Sequence, residues 1–423
     1  MVPVICRCSV RMYRKEEIFM NFLNVGTYPP RQCGIASFSR DLRDNLVSAG
    51  HSVWIAAISD EDTYAYPPEV RWVIRQECRE DYIKAAGQAS ILPHLQAVII
   101  QHEYGIYGGA DGGYILDFVS VLDKPYLLVT HTVLPQPGPN QKMLLRLLAQ
   151  KAAAVICMSE RSAHLLERVY SVGRERIAII PHGVPVFRPK EREELKRAYG
   201  CSGRRVVTTF GLIGPSKGLE NGILAVKRLV DRHPDLLYII AGRTHPVLQR
   251  RDGESYREKL LGLVADLGLQ DHVRFVNRFL DVEELGDYLY LTDIYLSPYP
   301  NRDQAVSGTL AYALGCGRAI VSTPYEYALG VLKKNKCGLV APDASPEALS
   351  RLLDQVLSRP ELQRSLEIRA SRLGEEIKWP RVAARYADVA RQACRRPARA
   401  FTGEKVIPGE LAASVEKKGL WRW

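Results

Sequence analysis

"NRDQAVSGTLAYALGCGRAIVSTP", residues 301–324, ties one apolar run to a helical run and then to a second apolar run. Just upstream, "IYLSPY" (294–299) reads as a strand, and "AIVST" (319–323) reads as the next one. Between them a helix is expected over 308–315, with Ser307 and Thr309 able to cap its start. Strand, helix, strand in that order is the unit of a parallel α/β sheet. Ser307, Gly308 and Thr309 at the helix opening have two readings. They cap the helix, or their free N–H groups and hydroxyls grip a phosphate.

The same alternation runs outward in both directions. Toward the N-terminus the strand-like runs are 22–26, 52–58, 70–74, 97–100, 126–130, 154–158 and 177–180, with helical stretches at 35–49, 80–92, 139–152 and 160–169. A polar, proline-bearing stretch at 183–203 marks the boundary, with a short helix expected near 190–199. Beyond it, strands are expected at 205–210, 236–241, 273–276, 294–299, 319–323 and 337–342, and helices at 217–232, 254–267, 282–290, 308–315, 346–357 and 361–374. A last amphipathic helix, 379–395, opens on Trp379-Pro380. The fold class is therefore α/β: two doubly wound, Rossmann-like domains facing across a cleft. The division is an N-terminal extension (1–19), a first domain (20–186), a linker (187–203), a second domain (204–376), a crossover helix (377–394) and a basic tail (395–423).

With 423 residues, 46% hydrophobic and 25% charged, the chain can bury two cores and is not disordered. Nine cysteines without a Cys-x-x-Cys pair suit free thiols rather than a disulfide frame or a zinc site. No apolar run reaches the ~20 residues of a membrane span, and no signal-peptide core precedes Met20, so a cytoplasmic location is expected. The net charge is +11, of which residues 395–423 supply seven Lys/Arg against three Asp/Glu. No basic stripe interleaved with aromatics appears, so nucleic acid is not an expected partner. The acidic run 60–62 begins a polar loop and reads as solvated acids, and no His/Cys cluster has ligand spacing, so no metal is expected.

Sites in doubly wound sheets form where strands lead into helices. The turn "VGTYPPRQCGIASF" (25–38) places Gly34 and Ile35 at a helix start. In "TFGLIGPSKGLE" a strand meets Gly211, and Lys217 falls in the first turn of the next helix, where the helix dipole disfavours a cation unless an anion is bound. The spacing of a P-loop is absent, since Lys217 precedes Gly218. Three glycine-marked turns, two in the second domain, point to a diphosphate ligand.

Taken together, "PPRQCGIASFSRDLRDNLVSAGHSV", "IIPHGVP", "GLIGPSKGLENGILA", "DIYLSPY" and "LGCGRAIVSTP" resemble the GT-B glycosyltransferases, and within them family 4, the retaining nucleotide-sugar transferases. The resemblance covers roughly residues 20–394. It implies a donor nucleotide held mainly by the second domain, an acceptor held mainly by the first, and a last helix that crosses back. Lys217 matches the lysine that pairs with the donor diphosphate, and Ser307, Gly308 and Thr309 the turn that faces its phosphates. The arginine usual a few residues before that lysine is replaced by Leu212, with Arg243 and Arg278 as substitutes near other strand ends. The acidic pair of the family falls at Gln304 and Tyr312: the first would hold the donor sugar, the second the ribose. His131, in "THTV", matches a histidine that contacts the transferred sugar. His245 is a further donor contact.

On the acceptor side, "QHEYGIYGG" offers His102, Glu103 and Tyr104 after a strand, with Glu103 able to orient or deprotonate a hydroxyl. The expected catalytic set is His131, Lys217, Gln304 and Glu103. The implied activity is transfer of a hexose, mannose or glucose, from a UDP- or GDP-linked donor to a saccharide or lipid-linked acceptor, with retention and without metal or other cofactor. The basic, apolar stretch 141–156 leaves peripheral contact with the inner face of a membrane open, though core packing explains it as well. A nucleotide-sugar epimerase and a non-catalytic nucleotide-sugar binding protein are the alternatives.

Overall fold

The computed structural model describes residues 19–395, so nearly all of the expected N-terminal extension and the basic tail after Arg395 lie outside the described residues. The first half forms seven strands: β1 (Asn21–Gly26), β2 (Ser52–Ser59), β3 (Val70–Arg75), β4 (Ala97–His102), β5 (Tyr126–Thr130), β6 (Ala154–Cys157) and β7 (Ile177–Ile179). The second forms six: β8 (Arg205–Phe210), β9 (Leu236–Ala241), β10 (Val273–Val276), β11 (Ile294–Ser297), β12 (Ala319–Ser322) and β13 (Leu339–Val340). Every pairing is parallel. The orders are β3-β2-β1-β4-β5-β6-β7 and β10-β9-β8-β11-β12-β13.

Composition explains which strand sits where. β4 and β5 are buried at every residue, and so are β9, β11 and β12, because helices cover both faces of a parallel sheet. β3 lies on the edge, and its Arg71, Val73 and Arg75 are exposed while Ile74 is buried. In each sheet the strand order reverses once near the middle, between β1 and β4 and between β8 and β11. These switch points leave a crevice at the carboxyl ends of the strands, which is where an open α/β sheet takes its ligand.

The two halves are stitched by two chain crossings that pair with each other. Val184 N–H donates to Ile377 O at 2.9 Å, and Trp379 N–H donates to Val184 O at 3.0 Å. Trp379 then opens the helix Trp379–Arg395, which returns to the first half and packs on the helix Gly34–Ser48. Its Val382, Tyr386 and Ala390 join Phe22, Leu42 and Leu46 in one core. Trp379 is buried and lies against Gly183, where an added Cβ would come within 2.2 Å of the indole. Loss of a buried aromatic at such a junction costs about 3–5 kcal/mol. The halves also meet through Arg250 with Asp60 and Glu61, and through Arg161 with Glu326.

Two helices of seven residues, Ile115–Val121 and Pro246–Asp252, form where no helix is expected from the sequence, as does the α-helical turn Glu326–Ala328 that runs into the π-helical Leu329–Lys333. Each is too short for the apolar period to register. The stretch 141–156 packs as core: Leu144, Leu145 and Leu148 are buried in the first domain. Among the described residues no helix is long and apolar enough to cross a membrane.

Candidate functional site

At the β8/β11 switch point the chain makes two tight turns. Gly211 follows β8 with φ +127, and an added Cβ would stand 3.2 Å from Thr309 Cγ2 and 3.7 Å from Lys217 Nζ. Pro215–Lys217 forms a single 3-10 turn, which Gly218 ends with φ +58. The α-helix begins only at Leu219, so Lys217 precedes that helix rather than lying in its first turn. The left-handed residue is the physical reason, because it breaks the helical path that the sequence pattern suggested. At Gly218 a side chain would also collide with Pro298 O, at 2.3 Å. This close approach of two turns delivers Lys217 to β11.

Lys217 Nζ donates to the Tyr299 hydroxyl at 2.8 Å and stands 4.2 Å from the ring centroid. The Tyr299 hydroxyl is 2.7 Å from Thr309 Oγ1, which is 3.2 Å from Ser307 Oγ. Burial pushes the Tyr299 hydroxyl up, but the Lys217 charge and the hydrogen bonds from Lys217 and Thr309 outweigh it and leave it below the ordinary phenol value. Among the described residues no carboxylate pairs with Lys217. Ser307 Oγ accepts from Leu310 N at 3.3 Å and is the N-cap of the helix Gly308–Gly315. Its side chain therefore caps the helix, while Gly308 and Thr309 begin the helix beside Lys217 and Tyr299.

The turns after β8 and β9 are zipped together: Ile213 N–H donates to Arg243 O at 2.8 Å, and His245 N–H donates to Ile213 O at 2.9 Å. Arg243 thus lies on the turn paired with the one where Leu212 replaces the usual arginine. Its Nε is buried without a partner, and no ion pair is made by its guanidinium among the described residues. Arg278 differs. It is engaged by both carboxylate oxygens of Glu284 on an exposed surface, so it is not brought to the cleft as a free cation. His245 is held below the ordinary imidazole value, first by burial and then by the charges of Lys217, Arg243 and Arg250.

The opposite wall comes from the β1/β4 switch point. His131 follows β5, and its Nε2 lies 2.8 Å from Gln101 Oε1. Burial, then His182 and His102, push it down to about 3. His182, in the crossing before Gly183, turns Nδ1 to Gly183 O at 2.7 Å and its Nε2 toward Gly308. Phe38 meets both rings edge-on, at 4.9 Å and 5.1 Å. Glu103 accepts from Tyr104 N–H at 2.9 Å and from Thr132 Oγ, which raises it less than burial alone would. Tyr104 is buried, its ring edge-on to His102 at 4.9 Å. His102 itself is fully buried, so its ring cannot touch an acceptor in this arrangement. Gly34 is exposed at its helix start, which Cys33 caps, and Ile35 packs on the first-domain core.

The two positions of the expected acidic pair are both occupied otherwise. Gln304 Nε2 donates to Val306 O at 3.0 Å, within its own loop. The Tyr312 hydroxyl donates across the cleft to Asp41 at 3.4 Å, and its ring stacks on Phe210 at 6.3 Å. Tyr299, Asp41 and His182 are contacts that the sequence reading missed. His182 stood in plain view in "IIPHGVP", whereas nothing in the pattern of "LSPY" singles out Tyr299.

Two family descriptions match the chain in tandem. Glycosyltransferase Family 4 matches residues 33–188, and Glycosyl transferases group 1 matches residues 191–372. The chain belongs to the group 1, family 4 glycosyltransferases. Within this family it is 26% identical over 247 residues to the D-inositol 3-phosphate glycosyltransferase of Jonesia denitrificans, a match covering 56% of each chain. The chain spans little more than half the length of that relative. Its fold is that of the sucrose-phosphate synthase from Thermosynechococcus elongatus, at TM-score 0.73 and 17% identity over 88% of this chain and 98% of the other. Anabaena HepE, solved with UDP and glucose, aligns at TM-score 0.69 and 15% identity over 88% of this chain and all (100%) of the other. Both are two-domain likenesses, so the departures at Leu212, Gln304 and Tyr312 occur on an intact glycosyltransferase fold.

Proposed function

We propose that the protein transfers a hexose, mannose or glucose, from a UDP- or GDP-linked donor to a hydroxyl of a saccharide or lipid-linked acceptor, with retention. The observation that carries this reading is that the turns bearing Lys217 and Arg243 are zipped together at the β8/β11 switch point, with neither side chain in an ion pair among the described residues. A leaving nucleoside diphosphate gains negative charge as the glycosidic bond to the sugar breaks. Fixed cations and N–H groups that meet that charge lower the barrier. Lys217, Arg243 and the start of the helix Gly308–Gly315 supply them, so the reading requires no metal and no other cofactor.

The retaining route proposed here is one that uses no nucleophilic side chain. His131 and His182 are neutral, and Glu103 is held by Thr132 and Tyr104 rather than free to attack. A double-displacement route needs a carboxylate nucleophile close to the sugar. In the proposed route the leaving phosphate accepts the proton of the attacking hydroxyl on the same face. The protein works in the cytoplasm, with peripheral contact at the inner membrane face if the acceptor is a lipid. The UDP and glucose bound to HepE support the class of donor, and the name of the Jonesia relative supports glycosyl transfer.

The test is incubation of the protein with UDP- and GDP-linked glucose and mannose and a panel of saccharide and lipid-linked acceptors, with the product anomer read by NMR. Release of nucleoside diphosphate with a product of unchanged configuration is expected. An inverted product overturns retention, and interconversion of the donor without an acceptor makes the protein an epimerase.

A further inference from the structure

Three buried side chains form a connected polar path under the β1/β4 switch point. Gln101, on β4, is fully buried, and its Nε2 donates to Asn24 Oδ1 on β1 at 2.7 Å. That leaves Gln101 Oε1 as an acceptor only, and it lies 2.8 Å from His131 Nε2. The His131 main-chain N–H is tied to His102 O at 3.0 Å, which fixes the loop that carries the ring. Phe38 closes the ring's flank. The path exists because β1 ends in glycine: a Cβ on Gly26 would fall 2.8 Å from Gln101 Cβ and close the space the amide occupies.

We infer that Asn24 and Gln101 are positioning residues that lock His131 in the tautomer with its proton on Nε2 and its bare Nδ1 turned to the cleft. The inference rests on the proposed glycosyl transfer for its purpose, not for its geometry. The bare nitrogen then accepts a hydrogen bond from a hydroxyl of the donor sugar. Asn24 Nδ2 is a buried donor without a partner, which is tolerated if reversing the amides would turn the His131 ring the wrong way. His131 Nδ1 meets no protein partner among the described residues, and the residue keeps 8% exposure, so the ring edge left free is the one that faces ligand. The titratable groups bearing on the ring are His182 and His102, both pushed down to about 4 by burial, so no charged neighbour drives the ring to protonate.

The experiment is histidine ring 15N NMR on the whole protein without ligand, with the His131 signals assigned by their loss in His131→Gln. A protonated Nε2 and a bare Nδ1 are expected, unchanged from pH 5 to 9. Gln101→Leu should mix the two tautomers and lower kcat on the order of tenfold or more, with a smaller change in donor KM. Gln101→Glu should restore the single tautomer and most of the rate while moving the His131 titration upward, because its carboxylate stabilises the charged ring. Asn24→Leu gives an independent break if Gln101→Leu does not fold. A proton on Nδ1 in the wild type, or an unmixed ring in both Gln101→Leu and Asn24→Leu, overturns the inference. If the expected ring state is found but no nucleotide sugar is bound or consumed, the functional reading fails and the positioning of the ring stands.

Discussion

The two switch points share one topology and differ in chemistry. Between β8 and β11 the chain gathers cations, Lys217 and Arg243, with hydroxyls from Tyr299 and Thr309 and, among the described residues, no carboxylate partner for either charge. On the facing wall, built from the loop after β5 and the crossing at 182–183, it gathers neutral imidazoles, His131 and His182, each buried and each held by a neutral hydrogen-bond partner. The fold sets where a ligand sits, and the residues placed there decide what it is. In the proposed reading one wall meets a dianion and the other meets sugar hydroxyls. A transferase that breaks a sugar–phosphate bond between them needs that division.

The largest effect expected is at the cationic wall. Lys217→Ala should lower kcat by about 10²–10³, the loss seen when one fixed donor to a developing charge is removed. Steady-state kinetics with the preferred donor checks it, and a loss under threefold would remove the diphosphate from this wall. Arg243→Ala should cost about 1.5–3 kcal/mol of transition-state binding, some 10–100-fold in kcat/KM, as for a charge-assisted hydrogen bond. Arg278→Ala should stay within about 0.5 kcal/mol, because its guanidinium is engaged by Glu284 on the surface.

The imidazole wall is sharpened by pH. His102 and His182 sit at about 4 and His131 at about 3 in the folded protein, against 6.5 ordinarily. Lowered folded values mean that the unfolded chain binds more protons between pH 6.5 and about 4, so their contribution to stability is complete above pH 6.5 and is lost as pH falls through that window. Each proton contributes about 1.4 kcal/mol per pH unit. His102→Leu tests one of the three. Both ring nitrogens of His102 are buried without partners, so the substitution removes no hydrogen bond. Urea melts should show the variant gaining about 2 kcal/mol on wild type at pH 5 relative to pH 8. An equal difference at both pH values would mean that His102 is charged or solvated in the native state.

Much of this was legible in the sequence. All thirteen strands fall on the apolar runs, most clearly the central ones, which are buried on both faces and carry an unbroken signal. The glycine turn after β8 and the Ser-Gly-Thr opening at 307–309 do lie together in the fold, at the β8/β11 switch point. What the sequence withheld is partnership. Nothing in one dimension separates Arg243 from Arg278: both follow a strand, and only packing shows that Glu284 engages Arg278 while Arg243 makes no ion pair among the described residues. His102 and His131 likewise both end strands, yet the ring of His102 is sealed and that of His131 reaches the cleft. Tyr299 was invisible because its role depends on Gly218 bringing Lys217 across to it.

The central claim is that Lys217 and Arg243 together hold a diphosphate at the β8/β11 switch point. Its most direct test is calorimetric titration of UDP and GDP into the wild type, Lys217→Ala, Arg243→Ala and Arg278→Ala. Tight binding of one nucleotide, weakened about tenfold or more in the first two variants and unchanged in the third, is the predicted result. Equal affinity in wild type and Arg243→Ala, or a loss confined to Arg278→Ala, would contradict it.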